Sequence, residues 1–272
     1  MAATHKKILG QGSRLGAAIL GLTAIVTLFS IWWLVSASGV IAPRFLPTPG
    51  RVFESAVDIR PNIFVQLGYT TFLVLVAFSL GSISAIYVGV LMRSSFVARS
   101  ILSPLVESWR PVPAVAVIPF FIIWFGFAWY GKLLLVAFAS FLVVVVGVVE
   151  AIDKINPVYL RAALSFGANN KRLADLVLVP GMFPGLLAPL RIALATAITV
   201  AVVAEFMGAT IGIGHVLNVA MNTFSTHTVV LCGILLGLIG ACLDWLLRLC
   251  HRRFVSWAKT ADEAVQYTLP SE

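Results

Sequence analysis

The chain has 272 residues, of which 60% are hydrophobic and only 11% charged, with a mean hydropathy of +1.01. Soluble domains carry roughly 25% charged residues, so the composition excludes an ordinary water-soluble domain and points to a membrane protein. A net charge of +8 would suit a nucleic-acid binder, but the basic residues sit between apolar runs and not along one soluble face, which argues against nucleic acid as a partner.

Residues 1–14 form a short basic tail with Lys6, Lys7 and Arg14, and no further charge appears until Arg44. That interval predicts a first spanning helix over about 15–40, since a bilayer core needs about 20 apolar residues. Ser36-Ala37-Ser38 resembles a signal-peptide cleavage site, but the apolar run exceeds a usual signal core and no soluble domain follows it. Residues 42–66 are amphiphilic: Leu46-Pro47-Thr48-Pro49 and then Val52-Phe53 predict a turn and a short surface helix. A second span follows over 67–92, with a short basic loop at 93–99.

The third apolar segment, 101–127, is irregular. Pro104, Pro111, Pro113 and Pro119 each remove a backbone donor, and Glu107 and Arg110 add charge. A tight external turn is expected at 126–132, a fourth span at 133–149, and a fifth at 183–207 carrying Arg191 and Glu205. Residues 208–227 read as a linker without lysine or arginine, and a sixth span covers 228–249. The domain reading is a basic tail at 1–14, a transmembrane domain at 15–254 and a polar tail at 255–272.

Lysine and arginine bias sets the orientation. With the N-terminus inside, fourteen basic residues face the cytoplasm: Lys6, Lys7, Arg14, Arg93, Arg99, Lys154, Arg161, Lys171, Arg172, Arg191, Arg248, Arg252, Arg253 and Lys259. Only Arg44, Arg51, Arg60 and Lys132 remain outside, with Arg110 in the membrane. The expectation is an all-α membrane protein of six transmembrane helices with both termini inside.

One long polar interval, 151–182, faces the cytoplasm in this topology. Asn156 can cap a helix and Pro157 suits its first position. Ala162 and Ala163 let another backbone come close, Gly167 permits a bend, and Asn169-Asn170 can start a second short helix with Lys171, Arg172 and Asp175 that runs to Val179-Pro180. The element reads as a docking surface.

Its pattern, Arg161-Ala162-Ala163, then Gly167, then Val179-Pro180, resembles the Glu-Ala-Ala loop of ABC-importer permeases, with Arg161 in place of the motif's glutamate. The resemblance runs from Leu46 to about Phe254 and is greatest to the nitrate/sulfonate/taurine group. Its carriers are Leu46-Pro47-Thr48-Pro49, Arg110-Pro111-Val112-Pro113, Ile118-Pro119, Trp124-Phe125-Gly126, Leu190-Arg191-Ile192-Ala193 and Val203-Ala204-Glu205. It implies a type I importer permease in the bacterial inner membrane, working as a pair of copies. Two ATPase subunits, which hold the ATP and magnesium, would dock on the coupling residues Arg161, Ala162, Ala163, Gly167, Lys171, Arg172 and Pro180. An external binding protein would deliver a small, often anionic solute such as taurine, another sulfonate or nitrate.

Chemistry within the chain itself is sparse. No G-x-x-x-x-G-K-[ST] phosphate loop and no catalytic set occur, so neither an enzyme nor a nucleotide or metal site is expected. Cys232, Cys242 and Cys250 read as packing residues, and His215 and His227 as solvated loop residues. Charge within the membrane is costly and marks function by default. Arg110, beside Pro111 and Pro113, is therefore expected to line the solute path or its gate and to pair with an acid such as Glu205, with Glu107 and Asp244 as further candidates. The same charges would serve equally as an ion pair that fixes helix packing. Asp244 and Arg248, four residues apart, are expected to pair on one helix face. Gly208/Gly212 and Gly233/Gly237 have the spacing that permits close helix contact, as at a seam between two copies. A self-sufficient carrier or channel is the rival reading; it would need membrane-embedded acids or histidines for ion coupling, and this chain has few.

Overall fold

The structure, a computed structural model, describes residues 14–58 and 62–255. Lys6, Lys7, Arg60 and Lys259, and the tails at 1–13 and 256–272, lie outside the described residues. Helices account for the regular structure of the described residues, and no strand occurs among them. Five helical stretches are long and apolar enough to cross a bilayer: Ile19–Ala37, Asn62–Ser94, Trp129–Asp153, Lys171–Phe206 and Thr226–Phe254. A helix pair, Phe96–Trp109 and Ala114–Phe125, is bent by 95° and supplies the sixth when counted as one span.

The chain divides into two compact units, 1–60 with 219–233, and 61–218 with 234–272. In the first, α1 (Arg14–Ala37) leads into α2 (Pro49–Asp58), the short amphipathic helix expected after the Leu-Pro-Thr-Pro turn. Trp32 Nε1 donates to the Pro47 carbonyl at 3.1 Å, Thr226 Oγ1 donates to the Arg44 carbonyl, and the Ser55 and Thr228 hydroxyls bond at 3.1 Å. These polar ties anchor α2 and the turn before it, and Val52 supplies buried apolar surface.

The second unit is built on three helices: α3 (Asn62–Ser94), α6 (Trp129–Asp153) and α10 (Leu187–Phe206). Ala77 and Ala85 of α3, Val144, Val145 and Val148 of α6, and Ala193, Ala197, Ala201 and Ala204 of α10 are buried together. Lipid is as apolar as leucine, so such contacts rely on close packing, and small residues permit it. Gly81 faces the Ala137 carbonyl and Ser140, and Gly147 faces the Pro189 ring; a Cβ at either would collide. The glycine pairs singled out by spacing make no such helix contact within the chain. Gly208 and Gly212 lie outside any helix, and Gly233 and Gly237 have nothing within 4 Å of a would-be Cβ.

Four expected boundaries are corrected. The basic loop at 93–99 is a single-residue break: α3 ends at Ser94, Ser95 caps α4 (Phe96–Trp109), and Arg99 lies inside that helix. The third segment is two helices at a sharp angle, because Pro111, Pro113 and Pro119 interrupt the donor ladder between α4, a 3₁₀ turn at Ala114–Val117 and α5 (Ile118–Phe125). Lys132, expected in an external turn, stands in the first turn of α6 with 6% exposure, its ammonium 5.0 Å from the Tyr69 ring centre. The linker at 208–227 contains a further helix, α11 (Ile213–Asn222), before α12 (Thr226–Phe254).

Candidate functional site

The polar interval folds as expected into α7 (Pro157–Ser165) and α8 (Asn170–Leu173) with Gly167 between them. The Asn156 side chain accepts from the Val158 N–H at 3.0 Å, and that of Asn169 accepts from Arg172 N–H at 2.9 Å. Gly167 has φ +76°, and its N–H and that of Ala168 donate back to the Leu164 and Ala163 carbonyls at 2.9 and 3.1 Å. This is a glycine-terminated helix end, which a side chain at 167 would strain. Nothing lies within 4 Å of a Cβ at that position, so the constraint is the backbone dihedral and not space.

No residue of α7 is buried. Arg161, Ala162, Lys171 and Arg172 are exposed, Ala163 half-buried, and Phe166 stands 90% exposed beside Gly167, near exposed Tyr159 and Leu164. An apolar patch of this kind on a polar loop marks a surface meant to be covered. Sequence reasoning passed over Phe166; an aromatic placed directly before the bend glycine was the available signal. After α8 the chain does not pause before the next span. A wide π-helical turn at Ala174–Leu178, α9 (Val179–Met182) with Pro180, and a 3₁₀ turn at Phe183–Leu186 run straight into α10. The second short helix and the fifth span are thus one jointed helical rod, Lys171–Phe206.

At the bend between α4 and α5, Arg110 lines a cavity of about 530 Å³ with Trp109, Glu150, Lys154 and Pro189. The guanidinium donates to Glu107 at 3.3 Å and to Glu150 at 3.5 Å. The expected pairing of Arg110 with Glu205 does not occur. Pro111 and Pro113 stand in the turn beside it and give the bend its angle.

Glu205 has no solvent exposure and lies elsewhere. It accepts from Thr70 Oγ1 of α3 at 2.8 Å and from the Gly214 N–H at 3.0 Å. Thr70 Oγ1 in turn accepts from Ile213 N–H at 2.9 Å, Gln66 accepts from the Gly212 N–H, and Asn218 donates to the Phe206 carbonyl at 2.9 Å. Buried Lys132 is within electrostatic reach of the carboxylate. Gly212, at φ +116°, and Gly214 leave room for the carboxylate that a Cβ would take. Glu205 therefore ties the loop before α11 to α3 and α10. Gln66 and Thr70 could not have been found from sequence, since their partners are more than 130 residues away.

A third charged group joins α10 to α12. Arg191 donates through Nε and Nη2 to the two oxygens of Asp244, and Arg248 also pairs with Asp244, as its four-residue spacing predicted. A second cavity of about 820 Å³ is lined by Arg191, Asp244, Thr196, Thr199 and Gly240. His227, expected to be solvated, pairs with the Ser225 hydroxyl at 2.9 Å. No group of three His, Cys, Asp or Glu side chains that could hold a metal occurs among the described residues.

Several apolar spans joined by an exposed, glycine-bent helical element suit the membrane subunit of a transporter. The chain belongs to the family described as binding-protein-dependent transport system inner membrane component, which matches residues 77–256. It is 32% identical over 246 residues to the taurine transport system permease protein TauC of Escherichia coli (strain K12), covering 88% of this chain and 89% of that protein. To the putative aliphatic sulfonates transport permease protein SsuC of Bacillus subtilis (strain 168) it is 28% identical, covering 87% of each. Inward-facing structures of the MetNI methionine ABC transporter share the fold, one with a TM-score of 0.59 and 19% identity over 73% of this chain and 97% of that one. The chain is thus an ABC-importer permease, a multi-pass inner-membrane component and not a catalytic subunit.

Proposed function

We propose that this chain, paired with a second copy, forms the membrane pathway of an importer for a small anionic solute, with residues 15–254 as the permease domain. Two cytoplasmic ATPase subunits, which bind the ATP and magnesium, clamp the coupling element of each copy. Both termini lie inside, as the lysine and arginine bias requires. An external binding protein delivers the solute. The observation that carries this reading is the exposed pair of short helices hinged at Gly167, with Ala162 and Phe166 open to a partner, Ala163 half-buried beside them, and Lys171, Arg172 and Pro180 on the rod beyond.

Because that element continues into α10, closure of the ATPases acts on the α10 wall of the Arg110 cavity without an intervening loop. A partner shifts such an equilibrium only by binding its two states unequally, and the coupling patch supplies that difference. A solute of the sulfonate class agrees with the names of the relatives and with Arg110 and Lys154 in the cavity wall.

Co-purification with the ATPase subunits tests the docking role. Phe166→Asp should abolish co-purification while leaving membrane insertion unchanged. Gly167→Val, a β-branched residue forced to positive φ, should retain insertion and lose coupled uptake. Normal ATPase binding and uptake in both variants would remove the docking surface from this loop.

A further inference from the structure

The charged group between α10 and α12 differs in balance from the one at the bend. Arg110 faces two carboxylates, Glu107 and Glu150. Arg191 and Arg248 share a single carboxylate, Asp244, and no other acid pairs with either arginine among the described residues. Two guanidinium groups against one aspartate leave one positive charge over. Leu194, Ala195, Ile198 and Val200 line the cavity beside Arg191, with Thr196 and Thr199 as its hydroxyl groups. A surplus positive charge at the edge of such a wall attracts an anion.

The cavity is also placed on the route already described. It shares Ala114, Ala188, Ile192 and Thr196 with the cavity of Arg110, so the two form adjoining compartments along one face of α10. Arg191 stands in the cavity wall and Arg248 reaches it through Asp244; both arginines are close to half exposed, and Asp244 is 21% exposed. Ion pairs as open as these contribute little to stability, so the Arg191 fork can exchange the aspartate for another oxyanion at small cost. Arginine's planar donor fork matches carboxylates, sulfonates and phosphates alike.

The geometry points to an oxyanion-binding station at Arg191 and Arg248, in which the sulfonate or equivalent anionic group of the solute displaces Asp244 on its way past α10. This rests on the import of an anionic solute proposed above. Asp244 acts as a resident competitor that neutralises part of the charge when no solute is present and prevents the station from holding the anion too tightly.

The same donors could hold a lipid phosphate, and the experiment separates the two sources. The purified permease–ATPase complex in nanodiscs of phosphatidylcholine alone is titrated with ethanesulfonate at constant ionic strength, and half-maximal thermal stabilisation gives the affinity. The wild type should be stabilised by ethanesulfonate. Arg191→Gln should weaken binding about tenfold through loss of a charge-assisted fork. Asp244→Asn should tighten it about threefold, the scale of one exposed ion pair, which a purely structural role for Asp244 would not do. Arg248→Gln is the second variant should Arg191→Gln fail to fold, with weakening expected in the same direction. Equal affinity in the wild type and the arginine variants, or no stabilisation of the wild type, overturns the station. So does stabilisation seen only on adding phosphatidylglycerol, which would assign the arginines to lipid headgroups. Retention of the ATPase through purification is scored separately: its loss would count against the importer reading, and its presence without an Arg191-dependent affinity would count against the station alone.

Discussion

The outward faces of α3 and α10 make a telling contrast, since both helices cross the same unit and both bury a face against α6. On α3 the exposed positions include the large side chains Phe64, Phe72, Leu75, Leu80, Ile83, Tyr87 and Leu91, of the kind that meet acyl chains, with Gly68, Ser79 and Ser84 between them. On α10 they are Ala188, Arg191, Ile192, Ala195 and Thr199, of which only Ile192 is a large hydrophobe. A face made of small and polar residues gains little from lipid, while it suits water or a closely packed protein neighbour. Exposure in the isolated chain therefore differs in kind: mostly large apolar side chains on α3, and small or polar ones on α10.

Three substitutions would break or sharpen that contrast, in falling order of expected effect. Gly147→Leu drives a side chain into Pro189 on the buried side of α10, and should cost about 1–3 kcal/mol by overpacking. Thermal unfolding of the detergent-solubilised protein would register it, and an unchanged midpoint would mean that α6 and α10 do not pack as described. Ala195→Leu adds bulk on the exposed side of the same helix. It should leave the midpoint alone and reduce uptake several-fold; full uptake would return that face to lipid. Ile83→Ala on α3 should change stability by no more than about 0.5 kcal/mol, as surface truncations usually do, and leave uptake untouched. A large loss there would mean that α3 also meets a protein neighbour.

The local structure of the glycine-bent element, α7 to α8, was the most legible part of the sequence. Its signals are local: Asn156 and Asn169 cap the next few residues, Pro157 starts a turn, and Gly167 takes a dihedral that other residues avoid. The charges were legible as charges and not as pairs. Arg110 and Glu205 drew attention because ions are costly in a membrane, yet the first pairs with Glu107 and Glu150 and the second with Thr70 and the Gly214 backbone. Asp244 and Arg248 were matched correctly because helical spacing alone brings them together, whereas Arg191, 53 positions from Asp244, was invisible to that rule.

Glycine spacing misled at Gly208/Gly212 for a related reason. That pair looks like a contact seam only on a helix, and here the chain is a loop in which Gly208 faces the Phe127 ring and Gly212 makes room for the Glu205 carboxylate. The glycines that do admit close packing, Gly81 and Gly147, are set by what lies opposite them: a carbonyl of α6 and a proline of α10.

By itself the sequence determined that the chain lies in a membrane, how many times it can cross, and which interval forms a capped, glycine-bent pair of short helices. These follow from apolar run length and from interactions among neighbours a few residues apart. Tertiary structure alone decided that this element is continuous with α10, which acid answers which base, and which exposed face is small and polar. Each of those depends on which atoms are brought together from distant parts of the chain, and a dihedral preference or a hydropathy pattern carries no information about a partner 50 or more positions away.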